Sequence, residues 1–250
     1  MKLKTISALA VSAVVLAGCQ NMNYDTLAQS GGQLFQAATL TDADMVKLTD
    51  GACKEMDAKN NIAPASGKYA ARMDKIAKSL GSDVNGTKVN YKVYMTNEPN
   101  AWAMANGCVR VYSGLMDIMN DNEIEGVLGH ELGHVGLGHT RKAMQVAYAA
   151  VAAKTAAGSA GGLASELSNS QFADMGIKLV NAQFSQRQET EADNYSYDLL
   201  KKRGISTEGL ATGFEKLAKM DKGQNSIFDS HPPTAERAEN IRKRIAEDKQ

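Results

Sequence analysis

Apolar positions change their spacing several times along the chain, and each change marks an element. After Thr41-Asp42, which reads as a helix start, Met45, Leu48, Ala52 and Met56 recur at helical spacing. A second helix is predicted over 66–80, with Tyr69, Met73, Ile76 and Leu80 on one face and Gly81 as its C-cap. The period then drops to two. Val89, Tyr91 and Val93 alternate with Asn90, Lys92 and Tyr94, the pattern of a half-buried strand. Residues 97–100 turn the chain, and 101–105 and 108–112 read as short extended pieces around Asn106-Gly107, an Asn-Gly hairpin signal. A helical turn at 115–119 leads to the longest predicted helix, from Glu123 to about Gly138. An alanine-rich helix follows over 143–157, then a glycine-rich break at 158–162. Further helices are predicted over 166–182, 186–203, 207–219 and 233–247. A few short strands against many helices predict an α+β domain over 41–250, mostly helical with a small edge-exposed β-sheet.

Composition agrees with a folded domain: 43% of residues are apolar and 22% charged. Lysine plus arginine equals aspartate plus glutamate at 28 each, so there is no basic footprint for nucleic acid. The N-terminus stands apart. Lys2 and Lys4 precede an almost unbroken small and apolar run from Ile6 to Leu16, too short for a permanent membrane span and built like an export signal. It ends in Leu16-Ala17-Gly18-Cys19, which resembles the lipobox of bacterial lipoproteins. That resemblance implies a signal peptide over 1–18, a diacylglycerol on the Cys19 thiol, and a lipidated tether over 19–40. Gln20 resembles the residue that follows the cysteine in lipoproteins sorted to the outer membrane. The expected location is therefore the periplasmic face of that membrane, with its lipid as a partner. Export leaves Cys53 and Cys108 in an oxidising compartment, where a disulfide between them is expected over two buried thiols.

The sharpest chemical signal is His130-Glu131-Leu132-Gly133-His134. Residues four apart share a helix face, so the two imidazoles can take two corners of a tetrahedral zinc site, with Glu131 beside them as general base. A third ligand must come from elsewhere. A histidine six residues beyond His134 would fall at Thr140, so that subclass is excluded. His139 lies five residues past His134, about 140 degrees round a continuing helix, and reads as a capping or surface residue facing away from the metal. Glu189 and Asp193 share a face in Arg187-Gln188-Glu189-Thr190-Glu191-Ala192-Asp193. One of the two can ligate zinc while the other accepts a proton from a ligating histidine. Glu191 should face solvent or a basic partner.

These blocks resemble the HtpX-like and Ste24-like zinc metallopeptidases, and most of all their soluble periplasmic lipoprotein branch. The histidine pair matches the family's HExxH, and Glu189-Thr190-Glu191-Ala192-Asp193 matches its ExEAD. Ser230-His231-Pro232-Pro233-Thr234-Ala235-Glu236-Arg237 matches its downstream S-H-P-x-x-x-x-R. The resemblance spans roughly 40–240. It implies a zincin-like domain holding one Zn²⁺ per chain through His130, His134 and Glu189, with Asp193 orienting a histidine. It places His231 near the open zinc position, as a displaceable fourth ligand or oxyanion stabiliser; otherwise that ring would cap the last helix. Arg237 is expected to line the site and share oxyanion charge, and an extended edge at Trp102, Ala103, Met104 and Ala105 to lie beside bound peptide. The implied function is a zinc-dependent endopeptidase acting on unfolded or misassembled cell-envelope proteins, possible partners being envelope assembly proteins. The rival readings are a zinc-binding but non-proteolytic assembly or chaperone-like lipoprotein, and a purely structural lipoprotein without tightly bound metal.

Overall fold

The computed structural model describes residues 40–155, 167–220, 231 and 235–248. The expected signal peptide, the 19–39 tether with Cys19 and Gln20, the break at 158–162 and the start of the last helix at 233–234 lie outside these residues. Helix α1 (Asp42–Lys59) opens on a reciprocal cap, in which Thr41 and Asp44 each bond the other's backbone N–H. It is followed by α2 (Lys68–Leu80), β1 (Asp83–Val84), β2 (Thr87–Lys88), β3 (Asn90–Tyr94), β4 (Ala101–Ala103) and β5 (Cys108–Tyr112). A short α3 (Ser113–Ile118) then leads into α4 (Asp121–Gly136), started by an Asn120–Glu123 capping box. The remaining helices are α5 (His139–Thr155), α6 (Asn169–Val180), α7 (Gln186–Lys202), α8 (Glu208–Ala218) and α9 (Ala235–Glu247). Helices α6 and α7 repeat the capping device at Ser168–Gln171 and Ser185–Gln188.

The main sheet has order β3-β5-β4, with β3 parallel and β4 antiparallel to the central β5. Its pleat sorts side chains into two cores. Val93, Ala101, Ala103, Val109 and Val111 pack with Ile124, Val127, Leu128 and Leu132 of α4. Tyr94, Trp102, Met104, Cys108 and Tyr112 face the opposite way, into a core with Leu48, Ala52 and Met56 of α1 and with Met144 and Met175. The expected half-buried strand is therefore corrected: β3 ends with Val93 and Tyr94 both buried, and β5 is buried throughout, because helices cover both faces.

Two links tie α1 to the sheet, one polar and one covalent. Asp57 accepts from Arg110 Nε at 2.7 Å, from Lys92 at 2.7 Å and from the Tyr94 hydroxyl at 2.8 Å. Cys53 and Cys108 form a disulfide. A separate small hairpin, β1–β2, turns at Asn85-Gly86, both at positive φ. Among the described residues no helix is long and apolar enough to cross a membrane.

Candidate active site

Helix α4 carries both histidines of the HExxH block, and its interior is apolar enough to bury it almost completely. Helix α7 lies across it at unusually close range. A Cβ at Gly129 would meet Ser196 Oγ at 2.5 Å, and one at Gly133 would meet the Ala192 Cα at 3.0 Å. A side chain at either place would require its neighbour to shift, so the glycines ease the approach that brings Glu189 and Asp193 against His130 and His134. His231, which precedes α9, closes the group from above.

The four side chains His130, His134, Glu189 and His231 are buried and converge. His130 Nε2 lies 3.1 Å from His134 Nε2, 3.2 Å from His231 Nδ1 and 3.5 Å from Glu189 Oε2. Glu189 Oε1 lies 3.4 Å from His134 Nε2 and 3.0 Å from His231 Nδ1. Donors at zinc–nitrogen and zinc–oxygen bond lengths around one tetrahedral ion stand roughly 3.3 Å apart, which is the spacing found. The chemistry of the set agrees. Burial holds His130 well below the usual imidazole range and His134 down at about 4, so both rings are neutral with lone pairs to give. Burial pushes the Glu189 carboxyl up, but bonds from His134 and His231 outweigh it and keep the group ionised. Glu189 Oε2 has no hydrogen-bond partner; Arg237 Nη1 lies 2.8 Å away as a charge contact. Two neutral imidazoles, the His231 ring and an ionised carboxylate fit a single Zn²⁺.

Around this cluster the supporting groups are specific. Asp193 Oδ1 accepts from His130 Nδ1 at 2.8 Å, which fixes the proton on that nitrogen and turns the Nε2 lone pair inward. Arg237 grips Asp193 with two bonds, Nε to Oδ2 at 2.8 Å and Nη2 to Oδ1 at 2.6 Å, and its guanidinium stacks over Phe214. Its expected place lining the site is thus one of holding two carboxylates.

Glu131 is 2% exposed, and its Oε1 has no hydrogen-bond partner. Burial and the nearby Glu189 charge push its carboxyl up to about 7, although His231, Arg237 and the backbone N–H of Ala103 pull the other way. His231 Nε2 stands 3.6 Å from Glu131 Oε1.

Of the four residues expected to lie beside bound peptide, only Trp102 and Ala103 are in a strand. Met104 and Ala105 belong to the turn before β5, where Met104 N–H bonds the Cys108 carbonyl and Gly107 N–H bonds the Met104 carbonyl. In this antiparallel register Asn100 and Met104 bond β5, so Ala101 and Ala103 direct their backbone groups away from it, beside α4.

One side chain departs from expectation. His139 is not a surface residue: it is 8% exposed, with Nδ1 3.0 Å from His134 Nδ1 and Nε2 3.2 Å from Glu191 Oε2. The angular extrapolation failed because α4 stops at Gly136 and the chain reverses through Gly138 at positive φ, so His139 begins a new helix. Glu191, expected to face solvent or a basic partner, does so: it is partly exposed and pairs with Arg187 as well as with that ring. Phe184 was missed by sequence reasoning. It stacks on His134 at 4.0 Å between centroids and on His231 at 5.2 Å. A signal existed: an apolar residue just before an N-cap packs beside the fourth helical position, and that position after Ser185 is Glu189.

Residues 66–245 match Peptidase family M48, a span that takes in the helices and the loop residue of this site. The chain belongs to peptidase family M48. It is 58% identical over 249 residues to Metalloprotease LoiP of Escherichia coli (strain K12), covering 99% of each chain. To Metalloprotease YcaL of the same strain it is 56% identical over 250 residues, covering 98% of each. The Beta-barrel assembly-enhancing protease of that strain is 27% identical over 164 residues, 62% of this chain and 32% of that protein. With the metal cluster, these matches make this M48 member a zinc metalloendopeptidase. The same comparison overturns the outer-membrane placement expected from Gln20. The two full-length relatives stand against it, and one uncharged side chain after Cys19 carries too little information to choose a membrane.

Proposed function

We propose that this M48 peptidase cleaves extended segments of unfolded or misassembled cell-envelope proteins. In this reading His130, His134 and Glu189 hold one Zn²⁺, Glu131 is the general base, and His231 is a fourth ligand that yields to substrate. One observation carries it: a buried Glu131 oxygen without a hydrogen-bond partner stands 3.6 Å from His231, while the same carboxylate takes the backbone N–H of Ala103 in β4. Zinc held by these residues would supply Lewis acidity toward a scissile carbonyl and an attacking water. Glu131 takes the proton of that water and delivers it to the departing amine. Ala101 and Ala103 receive an extended peptide through their outward carbonyls, their N–H groups being held by Asn100 Oδ1 and Glu131, which selects chains that can extend. His231, once turned from the cluster, offers a ring N–H to the oxygen on which charge builds. Arg237, committed to Asp193 and Glu189, reaches that oxygen only through its field.

The envelope setting is supported by the lipobox-like Leu16-Ala17-Gly18-Cys19, by a disulfide suited to an oxidising compartment, and by a relative named for enhancing beta-barrel assembly. Acylation at Cys19 belongs to the same reading, as does membership of the lipoprotein branch. Mass spectrometry of products from a denatured-protein library tests the reading. New internal cleavages should appear with the zinc-loaded protein and vanish with a chelator. Zinc-loaded protein that cuts nothing would favour the non-proteolytic assembly factor instead.

A further inference from the structure

We propose that His139 and Glu191 are positioning residues for the metal site, forming a second proton-fixing chain that serves His134 as Asp193 serves His130. The inference rests on the reading that His134 Nε2 is a zinc ligand. A neutral imidazole carries one N–H. With its Nε2 lone pair turned to the cluster, His134 must keep its proton on Nδ1, and that buried N–H needs an acceptor. His139 Nδ1 stands 3.0 Å away. To accept there, His139 must carry its own proton on Nε2, which faces Glu191 Oε2 at 3.2 Å. Glu191 is an obligate acceptor when ionised. It is held in place by Arg187 Nε at 2.8 Å, one helical turn back. The chain therefore runs Glu191, His139, His134 and then the cluster, and every proton in it has a single consistent place.

The topology explains how so local a device is assembled. Glu189, Glu191 and Asp193 all come from α7, but Glu191 points off the face that meets α4. The reversal at Gly138 brings the first residue of α5 back under His134 and into the gap between that ring and Glu191. The two HExxH histidines thus reach carboxylates of one helix by different routes, His130 directly and His134 through a second imidazole. Outer hydrogen bonds of this kind orient a ligand ring, and their loss typically lowers metal affinity about 10- to 100-fold.

The test uses the purified chain with zinc, read by competition with a chromophoric chelator and by ¹⁵N NMR of labelled histidine rings. Wild type should bind one zinc, with His139 in the Nε2–H tautomer. His139→Ala should bind zinc about 10- to 100-fold more weakly, and His139→Gln, whose amide oxygen can accept from His134, should recover part of the loss. Glu191→Ala alters a partly exposed residue and serves if the histidine variants do not fold. It should also weaken zinc binding, by a smaller factor, and release the fixed His139 tautomer. One zinc in wild type, with affinity unchanged in His139→Ala or in Glu191→Ala, overturns the positioning role alone. So does His139 protonated on Nδ1. Wild type without zinc overturns both this inference and the reading beneath it.

Discussion

At the scale of single residues, Glu131 and Asp193 do separable jobs. Glu131 touches no ligand nitrogen closely enough to hold the metal, so Glu131→Gln should keep one zinc per chain. It should lower the cleavage rate by roughly 10²- to 10⁴-fold, the usual worth of a positioned base. A zinc-loaded Glu131→Gln protein that cleaves at the wild-type rate would remove the base assignment. Asp193 accepts from both His130 and Arg237. An amide in its place presents an N–H to one of these donors, so Asp193→Asn should weaken zinc binding about 10- to 100-fold, measurable by chelator competition. His130 and His134 could be picked from the sequence because helical spacing puts the two imidazoles on one face and demands a third donor, whereas the choice of Glu189 over Asp193 rested on the resemblance to the ExEAD block. His139 could not be placed, because its direction depends on where α4 ends, and a glycine turn two residues past that end reversed the chain. Phe184 sits in a short connection whose path only the packing of α7 decides.

At the scale of elements, the site depends on how closely α4 and α7 approach. Gly133→Val would push a branched side chain into the Ala192 backbone. Overpacking of this kind costs about 1–3 kcal/mol, and the helices must part. The variant should melt several degrees lower and bind zinc more weakly, by calorimetry and chelator competition; unchanged values in both would contradict the close-approach argument. The sheet depends on Asp57. Burial raises its carboxyl, but bonds from Arg110, Lys92 and Tyr94 outweigh this and bring it down to about 2. A depressed carboxyl stabilises the fold above the unfolded value of about 3.9 and loses that contribution as pH falls toward about 2, because the unfolded chain takes up the proton first. Melting temperatures across that window should fall more steeply for wild type than for Asp57→Asn; parallel curves would contradict the network. Helix positions were readable from period and caps, since Thr41, Asn120, Ser168 and Ser185 all act locally. The β1–β2 hairpin was not read, although Asn85-Gly86 has the turn chemistry, because two-residue strands leave no periodicity to find. That the sheet would be covered on both faces was equally hidden: β5 is too short for its all-apolar reading to differ from alternation around a single buried Arg110.

At the scale of the molecule, the Cys53–Cys108 disulfide closes a separation of 55 residues between α1 and β5. Loop-closure entropy puts its worth at about 4 kcal/mol. The double Cys53→Ser, Cys108→Ser protein should therefore melt on the order of 10 °C lower, and an unchanged melting temperature would show that the two layers need no cross-link. The α+β class followed from counting elements, but which side of the sheet carried α1 and which carried α4 followed only from packing. All of the molecule's proposed chemistry depends on His130, His134, Glu189 and His231 meeting at one ion. Zinc-edge X-ray absorption of the purified chain tests this most directly. It should show four nitrogen or oxygen neighbours at about 2.0–2.1 Å, with outer scattering from three imidazoles and no sulfur. A six-oxygen shell, a sulfur neighbour or a single imidazole would contradict it.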